Sequence, residues 1–319
     1  MTTRRILIAG GGIGGLSLAL NLHKRGISCH VYEVAPEIKE LGVGITLLPH
    51  AMRELTTLGV QDAIIAAGIE NRESCFFNRF GQLLYQEPRG KFAGYAYPEI
   101  GIHRGKLHKI LYDEAVRVLG RDRIVTNRQC LRVDQDEKGV WLQMRETTSG
   151  SNVPPVRADV AIACDGIHSA VRKQLYPDEG GVAYQGINMW RGVTRWKPFL
   201  DGNTFVRIGW HKPAKVLIYP IRDRIDAEGR QLINWVCDIE QETPIEQRDW
   251  NRRGRIEDFI GAIEDWTFPW LDVPAMLRHA DGGDDQRQRR ADDIEADAIE
   301  HRADAAADEK RKGVERHIR

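Results

Sequence analysis

What this chain has little of narrows it before any motif does. It has no excess charge of either sign, with 46 basic residues against 46 acidic ones. No global field therefore draws it to nucleic acid or to an anionic membrane surface. No apolar run is long enough to span a bilayer, and the first residues lead straight into a strand-like run without a leader. Cysteine is sparse: Cys29, Cys75, Cys130, Cys164 and Cys237 are scattered, with no C-x-x-C spacing. They read as small core residues in a reducing compartment rather than as a disulfide framework or a metal site. The expectation is a cytoplasmic protein with neither membrane nor nucleic-acid partner. Also missing is any acid, base or nucleophile marked by residue type and spacing. His50, His103 and His168 lie in or beside turn-like stretches, where histidine is more often structural or solvated. No catalytic residue and no metal ligand is assigned. What remains is a chain of 319 residues, 42% hydrophobic, enough for one large or two medium domains.

What is present is concentrated in the first thirty-three residues. Arg4-Arg5-Ile6-Leu7-Ile8-Ala9 has the length and content of a buried strand. It runs into Gly10-Gly11-Gly12-Ile13-Gly14-Gly15, a G-x-G-x-x-G at Gly10, Gly12 and Gly15. An apolar helix follows through Leu22 and stops at Lys24-Arg25-Gly26. A second strand, Ser28–Tyr32, ends in Glu33. Gly10 allows the tight turn, Gly12 lets a pyrophosphate reach the backbone, and Gly15 lets the helix pack on the strand. The helix start offers free N–H groups to phosphates, and Glu33 offers acceptors to a ribose. An acid rather than an arginine after the second strand favours FAD or NAD over NADP, and leaves the choice between those two open.

Further along, Leu41-Gly42-Val43-Gly44-Ile45 places two glycines ahead of an apolar run, which suits either backbone passing a flat ligand or an ordinary turn. A helix is expected from Ala51 to Leu58. Ser74–Phe77 and Leu83–Gln86 read as a hairpin around Arg79-Phe80-Gly81. Ile102-His103-Arg104-Gly105 opens a helix with a cation at its start, where the macrodipole does not favour one. Strands are expected at Ile124–Thr126, Cys130–Asp134, Val140–Arg145 and Ala158–Cys164. The last of these empties into Asp165-Gly166-Ile167-His168-Ser169, a turn opening another helix. From about Gly181 to Pro274 the chain becomes β-rich and aromatic, with Trp190, Trp196, Phe205, Trp210, Tyr219 and Trp235 among strand-like runs, followed by a helix around Arg255–Glu264. Such a sheet could cover a planar substrate or hold a tryptophan-rich core. From Asp281 onward about half of the residues are charged and none is aromatic. That composition predicts disorder or a loose solvated helix.

Taken together these segments resemble the class A flavoprotein aromatic monooxygenases. The resemblance rests on Gly10-x-Gly12-x-x-Gly15 with Glu33 and on Cys164-Asp165-Gly166-Ile167-His168-Ser169-Ala170-Val171-Arg172. Leu41–Ile45, Ile102–Gly105, Met189-Trp190-Arg191-Gly192-Val193-Thr194 and Ile233–Cys237 are most similar to its phenazine-modifying members. It implies an α/β fold: a Rossmann-like FAD-binding domain of the glutathione-reductase type with an inserted β-rich substrate domain. The implied division is residues 1–180 for FAD, with substrate-side elements at 70–100, then 181–275 for the substrate sheet, and 276–319 as an atypical charged tail. By position, Gly10, Gly12, Ile13, Gly14 and Gly15 would hold the FAD pyrophosphate and Glu33 the adenosine ribose. Val43 and Gly44 would lie at the isoalloxazine, Arg104 at the phosphates or ribityl chain, Cys130 at the adenine through its backbone, and Asp165 and Gly166 along the ribityl–pyrophosphate chain. Trp190 and its neighbours would belong to the substrate-covering sheet.

The implied activity uses FAD with NADH or NADPH as co-substrate. O2 is captured as a flavin C4a-hydroperoxide, and one oxygen atom passes to an aromatic or phenazine-type ring. The family's third fingerprint, a Gly-Asp segment followed by a His-Pro loop, does not occur after Ala280, where Gly283-Asp284 runs into Asp285-Gln286-Arg287. The resemblance stops there, as a missing or frame-shifted C-terminal part would make it do, and it implies weakened FAD closure and impaired activity. Two other readings stand beside it: a non-catalytic remnant that binds nucleotide weakly, and an NAD-dependent dehydrogenase. The second is disfavoured by the Cys164-Asp165-Gly166 segment.

Overall fold

The computed structural model describes residues 4–40, 42–180, 183–210, 213–242, 254–281 and 294–301. In chain order the strands are β1 (Ile6–Ala9), β2 (Cys29–Tyr32), β3 (Gly44–Leu47), β4 (Ile69–Glu70), β5 (Glu73–Phe77), β6 (Leu83–Pro88), β7 (Ile100–His103), β8 (Ile124–Val125), β9 (Arg128–Asp136), β10 (Gly139–Glu146), β11 (Asn152–Ala158), β12 (Val160–Ala163), β13 (Ala183–Trp196), β14 (Thr204–Gly209), β15 (Lys215–Arg222), β16 (Gln231–Glu240), β17 (Thr267–Phe268), β18 (Leu271–Asp272) and β19 (Ile294–His301). The α-helices are α1 (Ile13–Lys24), α2 (Pro49–Thr57), α3 (Gln61–Ala67), α4 (Arg104–Leu119), α5 (Ala170–Leu175) and α6 (Val273–Arg278). No helix among the described residues is long and apolar enough to cross a membrane.

The fold is mixed α/β. A parallel sheet in the order β12-β1-β2-β8 carries the first glycine turn at the end of β1. All four residues of β1 are buried, as a continuous apolar run in the middle of a parallel sheet requires. α1 and α4 pack on this sheet. Leu16, Ala19 and Leu20 from α1 meet Leu107, Leu111 and Ala115, which repeat every four residues on one face of α4. Each large aliphatic buried here contributes about 1.5–3 kcal/mol relative to exposure. The antiparallel meander β11-β10-β9 packs against it through Leu142, Met144 and Cys130.

A second, seven-stranded sheet runs β19-β13-β16-β15-β14-β5-β6, antiparallel except where β14 lies parallel to β5. One face is sealed by Trp190, Trp235, Val216, Ile218 and Ile208 packing on Phe259, Ile263, Trp266 and α6. The other face turns toward the small sheet β3-β7-β4. There a Cβ on Gly101 would come within 2.5 Å of the Pro220 carbonyl oxygen, so β7 and β15 can meet only without a side chain.

Several expectations are revised. Arg255–Glu264 forms two 3-10 pieces, Ile256–Asp258 and Ile260–Ile263, instead of one α-helix. Phe259, Ile260, Ile263 and Trp266 all reach the core from this stretch, and short 3-10 turns are a common form for such connecting pieces. β11 contains Pro154 and Pro155 and occupies a sheet edge, where a missing N–H costs no ladder bond. Part of the charged tail, expected to be disordered or loosely helical, runs at Ile294–His301 as a strand antiparallel to β13. Ile294-Glu295-Ala296-Asp297-Ala298 alternates apolar and charged residues, a period-two pattern suited to the open edge of β13. Residues 276–281, also placed in the tail, instead complete α6 and a following 3-10 turn, with Met276, Leu277 and Ala280 in the core. Residues 282–293 and 302–319, which include Gly283-Asp284, and Leu41 of the early glycine segment lie outside the described residues.

Candidate functional site

The first turn is built by backbone packed on backbone. Gly10 has φ +105°, and a Cβ there would strike the Cys164 carbonyl as β12 leaves its strand. A Cβ on Gly15 would strike the Gly10 carbonyl, so α1 can start this close to β1 only with glycine at that position. Gly12 and Gly14 are different: a Cβ at either would meet nothing within 4 Å. They leave an open shelf at the start of α1. The Gly12 carbonyl accepts the first helical bond, from Leu16 N–H, and no side chain caps the helix. The N–H groups of that first turn therefore face the shelf with the positive end of the helix dipole behind them.

Glu33 stands at the end of β2, only 8% exposed. Its Oε2 accepts from Gly11 N–H at 2.6 Å and its Oε1 from Ala35 N–H at 2.9 Å. Two charge-assisted bonds fix the carboxylate and leave lone pairs for further donors. Gly11 also carries its own constraint, since a Cβ there would lie 2.9 Å from the Glu33 Cβ. Its carbonyl lies 2.7 Å from Nε2 of His108 on α4. A carbonyl can only accept, so Nε2 carries the proton in that contact. Gly11 and His108 have no sequence signal of their own; the role of each exists only once α4 packs beside the turn.

Asp165 and Gly166 follow β12 and lie against Gly10, whose Cβ would come 3.0 Å from the Asp165 Cα. The Asp165 carboxylate accepts from Ser169 Oγ at 2.6 Å and from Ala170 N–H at 2.9 Å. It thereby ties down the start of α5. Gly166 has φ +77° and open space around it. Cys130 is buried on β9 with its thiol pushed up to about 12, by burial first and then by the Asp165 charge. Ile13 opens α1 beside these groups.

The third group comes from the small sheet. Val43 accepts from Arg104 N–H at 2.9 Å, and Gly44 pairs with His103. The Arg104 side chain is exposed, its NH1 4.0 Å from where a Cβ on Gly42 would lie. No carboxylate stands within ion-pair distance of it among the described residues. Gly44 N–H donates to Oδ1 of Asn234 at 2.6 Å, and a Cβ on Gly44 would lie 2.7 Å from the Asn234 Cβ. Asn234 is fully buried on β16. It joins the seven-stranded sheet to β3, a link that β16's sequence pattern does not reveal. Next to it Tyr219 is buried, stacked on Phe205 with centroids 4.8 Å apart, and lies beside Thr46 and Arg191. Burial pushes its phenol up to about 12.

Trp190 belongs to the seven-stranded sheet, and its ring faces the core away from β3, stacked 5.3 Å from Phe259. Alternation along β13 decides this, since a one-residue step moves a side chain to the other face. The face turned toward β3 carries Arg191, Asn234, Tyr219, Phe205 and Arg207 instead. His50 lies apart from the turn, in a cleft of about 750 Å³ with Arg53, Tyr85, Arg89, Tyr95 and Tyr97. His168 is exposed beyond Asp165. No group of three or more His, Cys, Asp or Glu side chains suited to a metal ion occurs among the described residues.

The model of the FAD binding domain family matches residues 3–253. The chain is 39% identical over 280 residues to phenazine 1,6-dicarboxylic acid hydroxylase of Lysobacter antibioticus, covering 86% of this chain and 69% of that protein. It is 32% identical over 222 residues to 3-hydroxybenzoate 6-hydroxylase of Polaromonas naphthalenivorans, covering 68% of this chain and 53% of that one. Several other curated relatives are matched over about half of their length. Among solved structures, the Klebsiella pneumoniae protein HpxO complexed with FAD and uric acid superposes with a TM-score of 0.71 at 23% identity, covering 93% of this chain and 68% of that one. At that identity the likeness is one of fold.

Proposed function

The chain belongs to the FAD-binding domain family, and from that premise we propose that it is an FAD-dependent, NAD(P)H-using monooxygenase that hydroxylates an aromatic or phenazine-type ring. The observation that carries this reading is the shelf at Gly12 and Gly14. It is open on the ligand side, while Gly10, Gly11 and Gly15 are closed against Cys164, Glu33 and each other. The open space beside Gly12 and Gly14 lets a phosphate approach the backbone at the start of α1. The names of the relatives support the substrate class, because the relatives reported above hydroxylate phenazine and benzoate acids. In this reading residues 1–180 form the FAD-binding part, with substrate-side elements at 70–100, and 181–275 the substrate sheet.

FAD, when bound, supplies hydride acceptance and oxygen activation. The chain's own residues do the positioning. The first-turn N–H groups of α1 with Gly12, Ile13 and Gly14 receive the pyrophosphate, and Glu33, already fixed by two backbone donors, receives ribose hydroxyls. Arg104, with no carboxylate within ion-pair distance among the described residues, adds positive charge on the side of Val43 and Gly44. Cys130 and Gly166 wall the adenosine and ribityl sides through backbone. Asn234 holds Gly44 at the edge of the substrate sheet, so flavin and substrate strands keep one spacing. The buried face of Phe205, Tyr219 and Ile221 excludes water there.

Purified full-length chain titrated with FAD, followed by NADH and NADPH oxidation with and without a phenazine carboxylate, tests the proposal. Flavin uptake with oxidation accelerated by the acid is expected. Protein that takes up no flavin would leave the nucleotide-binding remnant as the reading, and nicotinamide turnover without flavin would leave the dehydrogenase.

A further inference from the structure

The seven-stranded sheet ends at β6, and that strand is unlike its neighbours. β14, β15 and β16 are mostly buried, whereas every residue of β6 except Glu87 is exposed. Its exposed side chains are largely apolar. Leu83, Leu84 and Tyr85 on β6, Phe80 in the turn before it, and Phe92 and Tyr95 after it are each at least half exposed, Leu84 by 68%. These six are close to half of the fourteen large apolar side chains exposed among the described residues, gathered within sixteen positions. They also lie together in space. The 3-10 turn Gly90–Ala93 packs beside β6, and Tyr85 and Tyr95 line the same cleft of about 750 Å³.

A fully buried aromatic side chain covers ~150–250 Å², so the six together expose roughly 600–700 Å². The largest apolar patch on a typical monomer is about 300–600 Å². Charge does not defend this one. Glu87 is held by Arg89 at 2.9 Å, and Gln86 is tied to Glu73. Arg72 and Arg79 lie over the rings of Phe92 and Phe80, 5.6 and 4.7 Å from their centroids. Tyrosine, phenylalanine and arginine together are the side chains that protein interfaces favour. The backbone of β6 decides how a partner meets it. The register passes from Phe76–Tyr85 to Phe77–Leu83, which leaves Leu84 as the extra residue of a bulge, and Pro88 brings no N–H to the strand's end. Bulge and proline keep an edge from continuing a ladder, so a partner meets side chains and is not an added strand. Another copy of the chain supplies a patch of the same size and composition. Two such patches face to face bury about 1,200–1,400 Å², within the ~1,200–2,000 Å² of stable specific interfaces.

We propose that β6 and the turn after it form an isologous interface between two copies of this chain, with Leu84, Tyr85 and Tyr95 at its centre. A contact related by a two-fold axis uses the same patch on both copies and closes on itself, so it yields a dimer and not a filament. The same contact bears on the cleft. Tyr85 and Tyr95 are at once walls of the cleft and parts of the patch, so the partner copy forms the outer wall that each chain leaves open. The interface stands whether or not the chain is a hydroxylase.

Sedimentation velocity of the full chain across the micromolar range tests this. Wild type is expected to sediment at twice the 36.2 kDa of one chain. Leu84→Glu sets a carboxylate on each side of the two-fold axis and should weaken the dimer by roughly a hundredfold or more, as like charges in a desolvated contact do. Its Tm should be unchanged, because Leu84 is exposed in the single chain. Tyr95→Glu reads the same contact and decides the matter where Leu84→Glu does not fold. Leu175→Glu, at an equally exposed leucine on α5, should leave the dimer intact. Hydrogen exchange over residues 83–97 should slow as wild type is concentrated, and should not in Leu84→Glu. A wild type that stays monomeric, association beyond two copies, or a dimer that survives both Leu84→Glu and Tyr95→Glu or is dissolved by Leu175→Glu would overturn the interface. So would a monomeric wild type that floats with phosphatidylcholine vesicles and is released by Leu84→Glu, which assigns the patch to a lipid surface. Exchange over 83–97 that ignores concentration would remove the partner from the wall of the cleft.

Discussion

The two sides of this molecule are specified in different ways. On the nucleotide side, the closest contacts are made by backbone: Gly10 against Cys164 and Gly15 against Gly10. On the sheet side they are made by side chains reaching across strands: Asn234 to Gly44, Arg207 between Phe76 and Phe205, Tyr219 on Phe205. A backbone contact tolerates no added atom, whereas a side-chain contact can be rebuilt by several residue types. The first side should therefore fail sharply on substitution and the second by degrees. The first also leaves a strict residue pattern in the chain, and the second leaves almost none.

The largest effect expected from this contrast is at Gly15. Gly15→Val puts a side chain into the Gly10 carbonyl and should cost about 3 kcal/mol or more, as overpacking against an immovable group does. Thermal unfolding would show it, and an unchanged Tm would mean that α1 does not sit as described. Gly12→Ala is its counterpart within the same motif. Gly12 has φ −69° and ψ −177°, which alanine adopts freely, and nothing lies near its Cβ direction. Fold stability should stay as it is while FAD affinity falls by roughly tenfold or more, ~1.4 kcal/mol. A common loss of Tm in both variants would erase the distinction between closed and open glycines.

On the sheet side Asn234→Ala leaves the Gly44 N–H without its acceptor and should cost about 1–3 kcal/mol. Asn234→Asp keeps an acceptor oxygen and should recover part of that loss in urea denaturation. Recovery by Leu as complete as by Asp would show that volume matters there, not the hydrogen bond.

The smallest effect is on alkaline stability. Cys75 and Cys130 are each pushed up from 9.0 to about 12, chiefly by burial, with Glu73 and Asp165 respectively adding their charge. The unfolded chain then releases these protons at lower pH than the folded one, so stability is level below about pH 9 and falls as pH rises toward 12. Cys130→Ser should flatten part of that fall in Tm measured against pH. An identical slope in the variant would assign the loss to other groups, Tyr219 first among them.

How far the chain could be read beforehand follows the same division. The order strand, Gly10–Gly15, helix, strand, Glu33 was legible because each closed glycine there is a steric requirement, and the Asp165-Gly166 turn because it answers Gly10 across β1 and β12. The parallel pairing of those strands follows from their apolar runs. Asn234, Arg207 and His108 were not legible. Each takes its role from a partner far away in sequence, and alternation along a strand does not say which face meets which neighbour. Trp190 shows that ambiguity: its aromatic neighbourhood suited either a substrate cover or a tryptophan-rich core, and its strand position puts the ring in the core. At Ile294–His301 composition suggested a solvated tail, while the open edge of β13 supplied backbone partners that composition does not count.

The central claim is that the open shelf at Gly12 and Gly14, with Glu33 fixed beside it, is a working FAD site in this chain. Titration of the purified full-length protein with FAD, read by quenching of flavin fluorescence for wild type and Gly12→Ala side by side, tests it most directly. Saturable quenching in wild type, shifted to weaker binding in a Gly12→Ala protein of unchanged Tm, is the predicted result. A wild-type protein that leaves flavin fluorescence unquenched, or a Gly12→Ala protein that binds FAD as tightly as wild type, would contradict it.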